Sequence, residues 1–120
     1  MAISFLSLGS NLGDRLTKLR AAVQALVEQG GLRINLACDV ASLYETSPVG
    51  GPADQPPYLN SVLRVRTSLA PSALLAIALS IEASLGRTRQ ARWEPRVIDI
   101  DLLFVGDVVI DSPALTLPHP

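Results

Sequence analysis

Residues 86–104 read GRTRQARWEPRVIDIDLLF. Four of the ten basic residues of the chain, Arg87, Arg89, Arg92 and Arg96, fall in its first eleven positions, together with the only tryptophan, Trp93. The run 97–104 that follows is β-branched and apolar enough to be a buried strand. Two carboxylates interrupt it at spacing two. Strand side chains alternate faces, so Asp99 and Asp101 point the same way, with Cα atoms about 6.5 Å apart. Carboxylates placed so repel each other and are costly to desolvate. A divalent cation between them removes both problems, and hard cations such as Mg²⁺ take one or two carboxylates plus substrate phosphates. The preceding arginines are what a polyphosphate needs. Alone, the Asp pair reads as a polar strand face and the Arg loop as a solvated turn. Their adjacency points to phosphoryl transfer.

Composition bounds the rest. A chain of 120 residues with 48% hydrophobic content is expected to be one domain with a single core. A net charge of −1 argues against bulk nucleic-acid or anionic-membrane binding. An aromatic content of 4% also argues against an RNA-binding sheet, which carries aromatics on its strands. One cysteine, Cys38, excludes an internal disulfide, suits a reducing compartment and reads as a small buried hydrophobe. No basic n-region precedes the first apolar run, and no run approaches the roughly 20 residues of a membrane span. The expected location is cytoplasmic.

Working outward, residues 2–8 have strand character and 9–13, GSNLG, turn the chain. Asn11 or Asp14 can cap a helix in which Leu16, Leu19, Val23, Leu26 and Val27 recur at helical spacing, stopped by Gly30 and Gly31. The glycine turn lacks the spacing of a P-loop or a dinucleotide fingerprint and reads as a tight turn. Residues 34–45 read as one long strand, with Leu36, Cys38, Val40, Ser42 and Tyr44 on one face. Residues 46–57, TSPVGGPADQPP, hold four prolines and two glycines and form a stiffened loop of functional length. Residues 58–67 form the next strand. Tyr58, Asn60 and Val62 share one face, and an aromatic face beside a carboxamide suits a flat heterocycle. The plainer reading is a core Tyr and a structural Asn.

Pro71 opens a second helix with a stripe of Leu74, Ile77, Ala78, Ile81 and Leu85, ended by Gly86. Glu82 lies at the stripe's edge as an ordinary helix glutamate or an arginine partner. After the 97–104 strand, Gly106-Asp107 signals a hairpin, 108–110 returns as a short strand, and 111–120 is an irregular tail. Two strand–helix–strand units make an α+β, ferredoxin-like βαββαβ antiparallel sheet with both helices on one face and a small β extension.

Four ordered segments, SLGSNLGDR, YETSPVGGPADQPPYLN, GRTRQARWEPRVIDIDLLFVGD and LTLPHP, resemble the 6-hydroxymethyl-7,8-dihydropterin pyrophosphokinases of folate synthesis. The resemblance implies transfer of a pyrophosphoryl group from ATP to the pterin hydroxymethyl group, releasing AMP. It implies two Mg²⁺ ions on Asp99 and Asp101, and phosphate contacts from Arg87 and Arg96 during transfer. It places the pterin at Thr46, Ser47, Pro48, Val49, Tyr58 and Asn60, and ATP at Glu82, Arg89, Arg92, Trp93, Leu102, Thr116 and His119. The chain departs from the family in several places. Ser47 stands where proline is common, Glu94 where a small residue is, and the arginine loop is one residue shorter than in some members. The family's sequence also continues past LPHP with an aromatic that closes the pterin pocket. The chain is therefore expected to be a C-terminally incomplete domain, prone to self-association if it ends at Pro120. The alternative is a non-catalytic nucleotide- or pterin-binding module on the same fold.

Overall fold

The computed structural model describes residues 2–11, 13–35, 39–47, 56–86 and 98–120. Among these a four-stranded antiparallel sheet runs in the order β2-β3-β1-β4. It is built from β1 (Ala2–Ser10), β2 (Tyr44–Thr46), β3 (Tyr58–Thr67) and β4 (Asp99–Val105). Helices α1 (Arg15–Glu28) and α2 (Pro71–Ser84) join β1 to β2 and β3 to β4.

Alternation divides the sheet into two unlike faces. Leu6 and Leu8 of β1, Leu63 and Val65 of β3, and Ile100 and Leu102 of β4 are buried. They form one core with Leu19, Ala22, Ala25 and Leu26 of α1 and Leu74, Ala78 and Ile81 of α2. Burying a side chain of this size contributes about 2 kcal/mol, so this face fixes the register. A one-residue slip would turn the whole apolar set outward. The opposite, open face carries Phe5, Ser7 and Gly9 of β1 between Arg64, Val62 and Asn60 of β3 and Phe104, Asp101 and Asp99 of β4.

The helix ends follow sequence chemistry. Asp14, one of the two expected caps, takes the Thr17 N–H at 3.1 Å. The Thr17 backbone and hydroxyl together hold its carboxyl below the ordinary carboxylate range. Gly31 leaves α1 at φ 66°, a conformation that costs glycine nothing. Pro71 opens α2 as expected, with no side-chain cap before it.

Three expectations change. β1 runs through Gly9 and Ser10, so the turn is shorter than 9–13 and Gly9 lies inside the sheet. The long strand 34–45 is not continuous. Arg33 bridges Arg66 and Val40 bridges Leu63, so the eight positions 33–40 stand against the four positions 63–66 of β3 and cannot pair as a plain ladder. The buried Asp39 lies in this stretch, and its N–H donates to the Asn35 carbonyl at 2.7 Å. Its carboxylate accepts from Asn35 N–H at 2.8 Å, from Arg64 at 2.8 Å and from Arg66 at 2.9 Å. A carboxylate with that many donors outcompetes a plain ladder, and among the described residues here only Tyr44–Thr46 is strand. The expected burial of Cys38 lies outside the described residues.

Third, residues 108–110 do not return along β4. Val108 N–H closes a turn on the Val105 carbonyl, and Val109 is 80% exposed. Instead β5 (Ile110–Asp111) pairs with β6 (Thr116–Leu117) inside the expected irregular tail. This small sheet is tied to β4 at a bulge. The register shifts between Phe5 and Leu6, leaving Leu103 as an extra residue whose carbonyl accepts the His119 N–H at 2.9 Å.

Candidate functional site

The open face gathers the expected site residues at the Gly9 end of β1. In register, Gly9 sits between Asn60 on β3 and Asp99 on β4, and Ser7 between Val62 and Asp101. Asp99 and Asp101 share this face, both half-buried, while Ile100 and Leu102 between and beyond them point into the core.

The wall opposite the carboxylates is pre-ordered. Tyr44 pairs with Asn60 and Thr46 with Tyr58. The Asn60 amide nitrogen donates to Thr46 Oγ1 at 2.8 Å, and more weakly to the Tyr44 carbonyl at 3.3 Å and the Tyr58 carbonyl at 3.4 Å. With its donors engaged on β2 and β3, the Asn60 oxygen is left over Gly9. A Cβ built on Gly9 would lie 3.0 Å from that oxygen and 3.3 Å from the Tyr58 ring. The absent side chain thus lets the Asn60 carboxamide and the Tyr58 ring lie directly on the β1 backbone, in the same row as the Asp99 carboxylate.

Two residues that pattern reading did not assign to the site, Asn11 (read only as a possible helix cap) and Arg15, hold the base of that wall. Asn11 Nδ2 donates to the Pro56 carbonyl at 3.2 Å. Arg15 donates to the Pro57 carbonyl at 3.0 Å and to Glu45 at 2.8 Å. The signal for them was present in Pro56-Pro57, a pair with no N–H of its own, which can be anchored only through its carbonyls by donors from elsewhere.

The nucleotide candidates fall along the outer edge of β4. Glu82, 3% exposed, accepts the Ile100 N–H at 2.7 Å, so it is a buried tie between α2 and β4 rather than an exposed helix glutamate. The Leu102 side chain is spent in the core, which leaves its backbone as the part a nucleotide can meet. Thr116 and His119 are exposed on the β5–β6 extension, with His119 Nδ1 3.0 Å from the Pro120 carbonyl. Ser47 is exposed at the end of β2. Pro48, Val49, Arg87, Arg89, Arg92, Trp93 and Arg96 lie outside the described residues.

Among the described residues no group of three or more His, Cys, Asp or Glu side chains could enclose a metal alone. Asp99 and Asp101 supply two carboxylates and leave the other positions to water and ligand oxygens. That donor set fits Mg²⁺, which keeps waters and binds through one or two carboxylates plus phosphates. No helix among the described residues is long and apolar enough to cross a membrane.

The chain is similar to known proteins over nearly its whole length. The family model described as 7,8-dihydro-6-hydroxymethylpterin-pyrophosphokinase (HPPK) matches residues 5–120. The chain is 43% identical over 118 residues to a 2-amino-4-hydroxy-6-hydroxymethyldihydropteridine pyrophosphokinase of Bacillus subtilis, covering 98% of this chain and 68% of the relative. It is 42% identical over 119 residues to the protein of that name from Methylorubrum extorquens, covering 99% and 73%. A solved structure described as HPPK-DHPS in complex with substrates is similar in fold, with a TM-score of 0.64. It is 16% identical, and the match covers 91% of this chain and 29% of that one.

Proposed function

Because the chain belongs to the 7,8-dihydro-6-hydroxymethylpterin-pyrophosphokinase family, we propose that the open sheet face around Gly9 is where this chain carries out the family's reaction. That reaction is pyrophosphoryl transfer in folate biosynthesis, with ATP as co-substrate. The hydroxymethyl oxygen bonds to the β-phosphorus, the bond from that phosphorus to the α-phosphate oxygen breaks, and AMP leaves with the electron pair.

The observation that carries the assignment is the row Asn60–Gly9–Asp99 across three strands. That row brings Asn60 and Tyr58 to the same face as the Asp99–Asp101 pair, which supports a ring site beside a metal site. Tyr58 offers the ring a stacking face, and the Asn60 oxygen accepts from a ring N–H. Thr46 fixes that amide, and Ser47, Pro48 and Val49 are assigned to the pterin by the family motif. Asp99 and Asp101 would hold two Mg²⁺ ions. Such ions, when bound, offset triphosphate charge and favour ionisation of the hydroxyl. Arg87 and Arg96 meet the charge that moves during transfer. Arg89, Arg92 and Trp93 hold the nucleotide, with Glu82, Leu102, Thr116 and His119 along β4. The strand order supports a ferredoxin-like βαββαβ frame for a single domain over residues 1–120.

The test is AMP release from ATP, measured with and without 6-hydroxymethyl-7,8-dihydropterin and with and without Mg²⁺. Release that needs all three components is expected. Tight pterin or ATP binding with no AMP release under any condition would favour the non-catalytic module.

A further inference from the structure

We propose that Arg15 is a positioning residue for the pterin site, clamping both stems of the Pro-rich loop from the first turn of α1; this rests on the reading of the Gly9 row given above. The loop leaves the sheet after β2 and re-enters at Tyr58. Its returning stem is Pro56-Pro57, which has carbonyls but no backbone donors and so cannot lock itself into a ladder. Donors come instead from the β1–α1 connection. The buried Asn11 takes the Pro56 carbonyl, and one arm of Arg15 takes the Pro57 carbonyl. The other arm of Arg15 takes Glu45, on the departing stem and opposite Leu59.

One planar guanidinium therefore spans the two stems and α1. Its two used nitrogens serve two different partners, a geometry that a point charge cannot reproduce. The Arg15–Glu45 pair is too exposed to matter much to global stability, with side chains 28% and 56% accessible. Its effect is local. Glu45 adjoins Thr46, which holds the Asn60 amide, and Pro57 adjoins Tyr58, which forms the aromatic wall. Releasing Arg15 lets these two walls drift relative to Gly9 without touching the core.

The experiment compares wild type, Arg15→Ala and Arg15→Lys by steady-state kinetics, thermal midpoint and amide hydrogen exchange. Arg15→Ala is expected to raise KM for the pterin by about tenfold. KM for ATP and kcat should stay within about twofold, and the thermal midpoint should stay near that of wild type. Arg15→Lys can satisfy one partner at a time and should fall between the two. Exchange should quicken at Thr46 and Tyr58 while Leu63 stays protected. An unchanged pterin KM overturns the proposal. So does a rise in both KM values together with a fallen thermal midpoint, which would mark Arg15 as merely structural. If the wild type itself releases no AMP, the functional reading fails instead, and hydrogen exchange alone decides whether the clamp exists.

Discussion

Replacing Gly9 by alanine tests the proposed ring site with one methyl group. The backbone at Gly9 does not need glycine, since its φ lies outside the left-handed range. Any effect must therefore come from the space the methyl takes. That methyl sits 3.0 Å from the Asn60 oxygen and 3.3 Å from the Tyr58 ring. Both are inside ordinary contact of about 3.5–4 Å. Neither neighbour gives easily, because three acceptors hold the Asn60 amide and Tyr58 starts a paired strand. Overpacking of this kind costs about 1–3 kcal/mol. Losing the glycine's freedom in the unfolded chain returns about 0.5–1 kcal/mol. The net loss is about 1–2 kcal/mol, and the thermal midpoint should fall by a few degrees.

Function should suffer more than stability. With the Asn60 oxygen and the Tyr58 ring pushed off β1 by the methyl, the pterin ring proposed to lie against them loses its seat. It must move by about 1 Å or leave, and a displacement of that size costs about 100-fold in kcat/KM, or about 2.7 kcal/mol of transition-state binding. The assay is pterin kcat/KM from AMP release, with ATP affinity measured by calorimetry as the control. A Gly9→Ala protein whose pterin kcat/KM stays within about threefold of wild type would refute the site. Equal losses on the pterin and ATP sides would refute its assignment to the ring.

The remaining predictions concern charges at the site and behind it. Asp99→Ala and Asp101→Ala should each abolish AMP release and leave a folded domain by circular dichroism, because each removes an oxygen ligand while relieving like-charge repulsion; turnover near wild type in either would remove the pair from the mechanism. Glu82→Ala strands the buried Ile100 N–H and should cost about 1–3 kcal/mol in urea unfolding, apart from any effect on ATP. Asp39 is held down to about 2 by the Asn35 N–H first, against burial, with Arg64 and Arg66 adding to the effect. Its folded pKa lies below its unfolded one, so its contribution is complete above about pH 4 and lost as pH falls toward 2. Thermal midpoints of wild type and Asp39→Asn, followed from neutral to acid pH, should therefore converge; parallel curves would contradict the linkage.

Much of this arrangement was legible in the residues, for reasons that separate what periodicity sees from what it does not. Alternation placed Tyr58 and Asn60 on one face and Asp99 and Asp101 on one face, because both lie in strands whose other side is mainly apolar. Leu63 and Val65, like Ile100 and Leu102, leave no second register. The same rule misled over 34–45. Leu36, Val40 and Tyr44 alternate as a strand should, but the rule weighs apolar burial and is blind to one buried carboxylate. Asp39 collects Asn35, Arg64 and Arg66, and the bridges on either side of it are out of step with a plain ladder. For Glu82 the same blindness hides burial. It stands beside Ile81 on the buried side of α2, and only the β4 backbone shows what pairs with it there.

Gly9 and Arg15 reveal a different limit. A glycine after a short apolar run reads as a breaker, because local sequence reports conformational freedom and not the neighbours that would fill an absent side chain. Those neighbours, Tyr58 and Asn60, lie some fifty residues downstream, and only the β1–β3 register brings them to Gly9. An arginine at the start of a helix likewise reads as a solvated charge until the Pro-Pro stem that it serves is folded beside it. What unites the two is that, in the proposed site, neither would meet the ring through a side chain: one lets Tyr58 and Asn60 lie on the backbone and the other holds two stems. Such roles depend on distance across the fold, so they emerge from register and hydrogen-bond direction, whereas the groups that touch ligand announce themselves by their own chemistry.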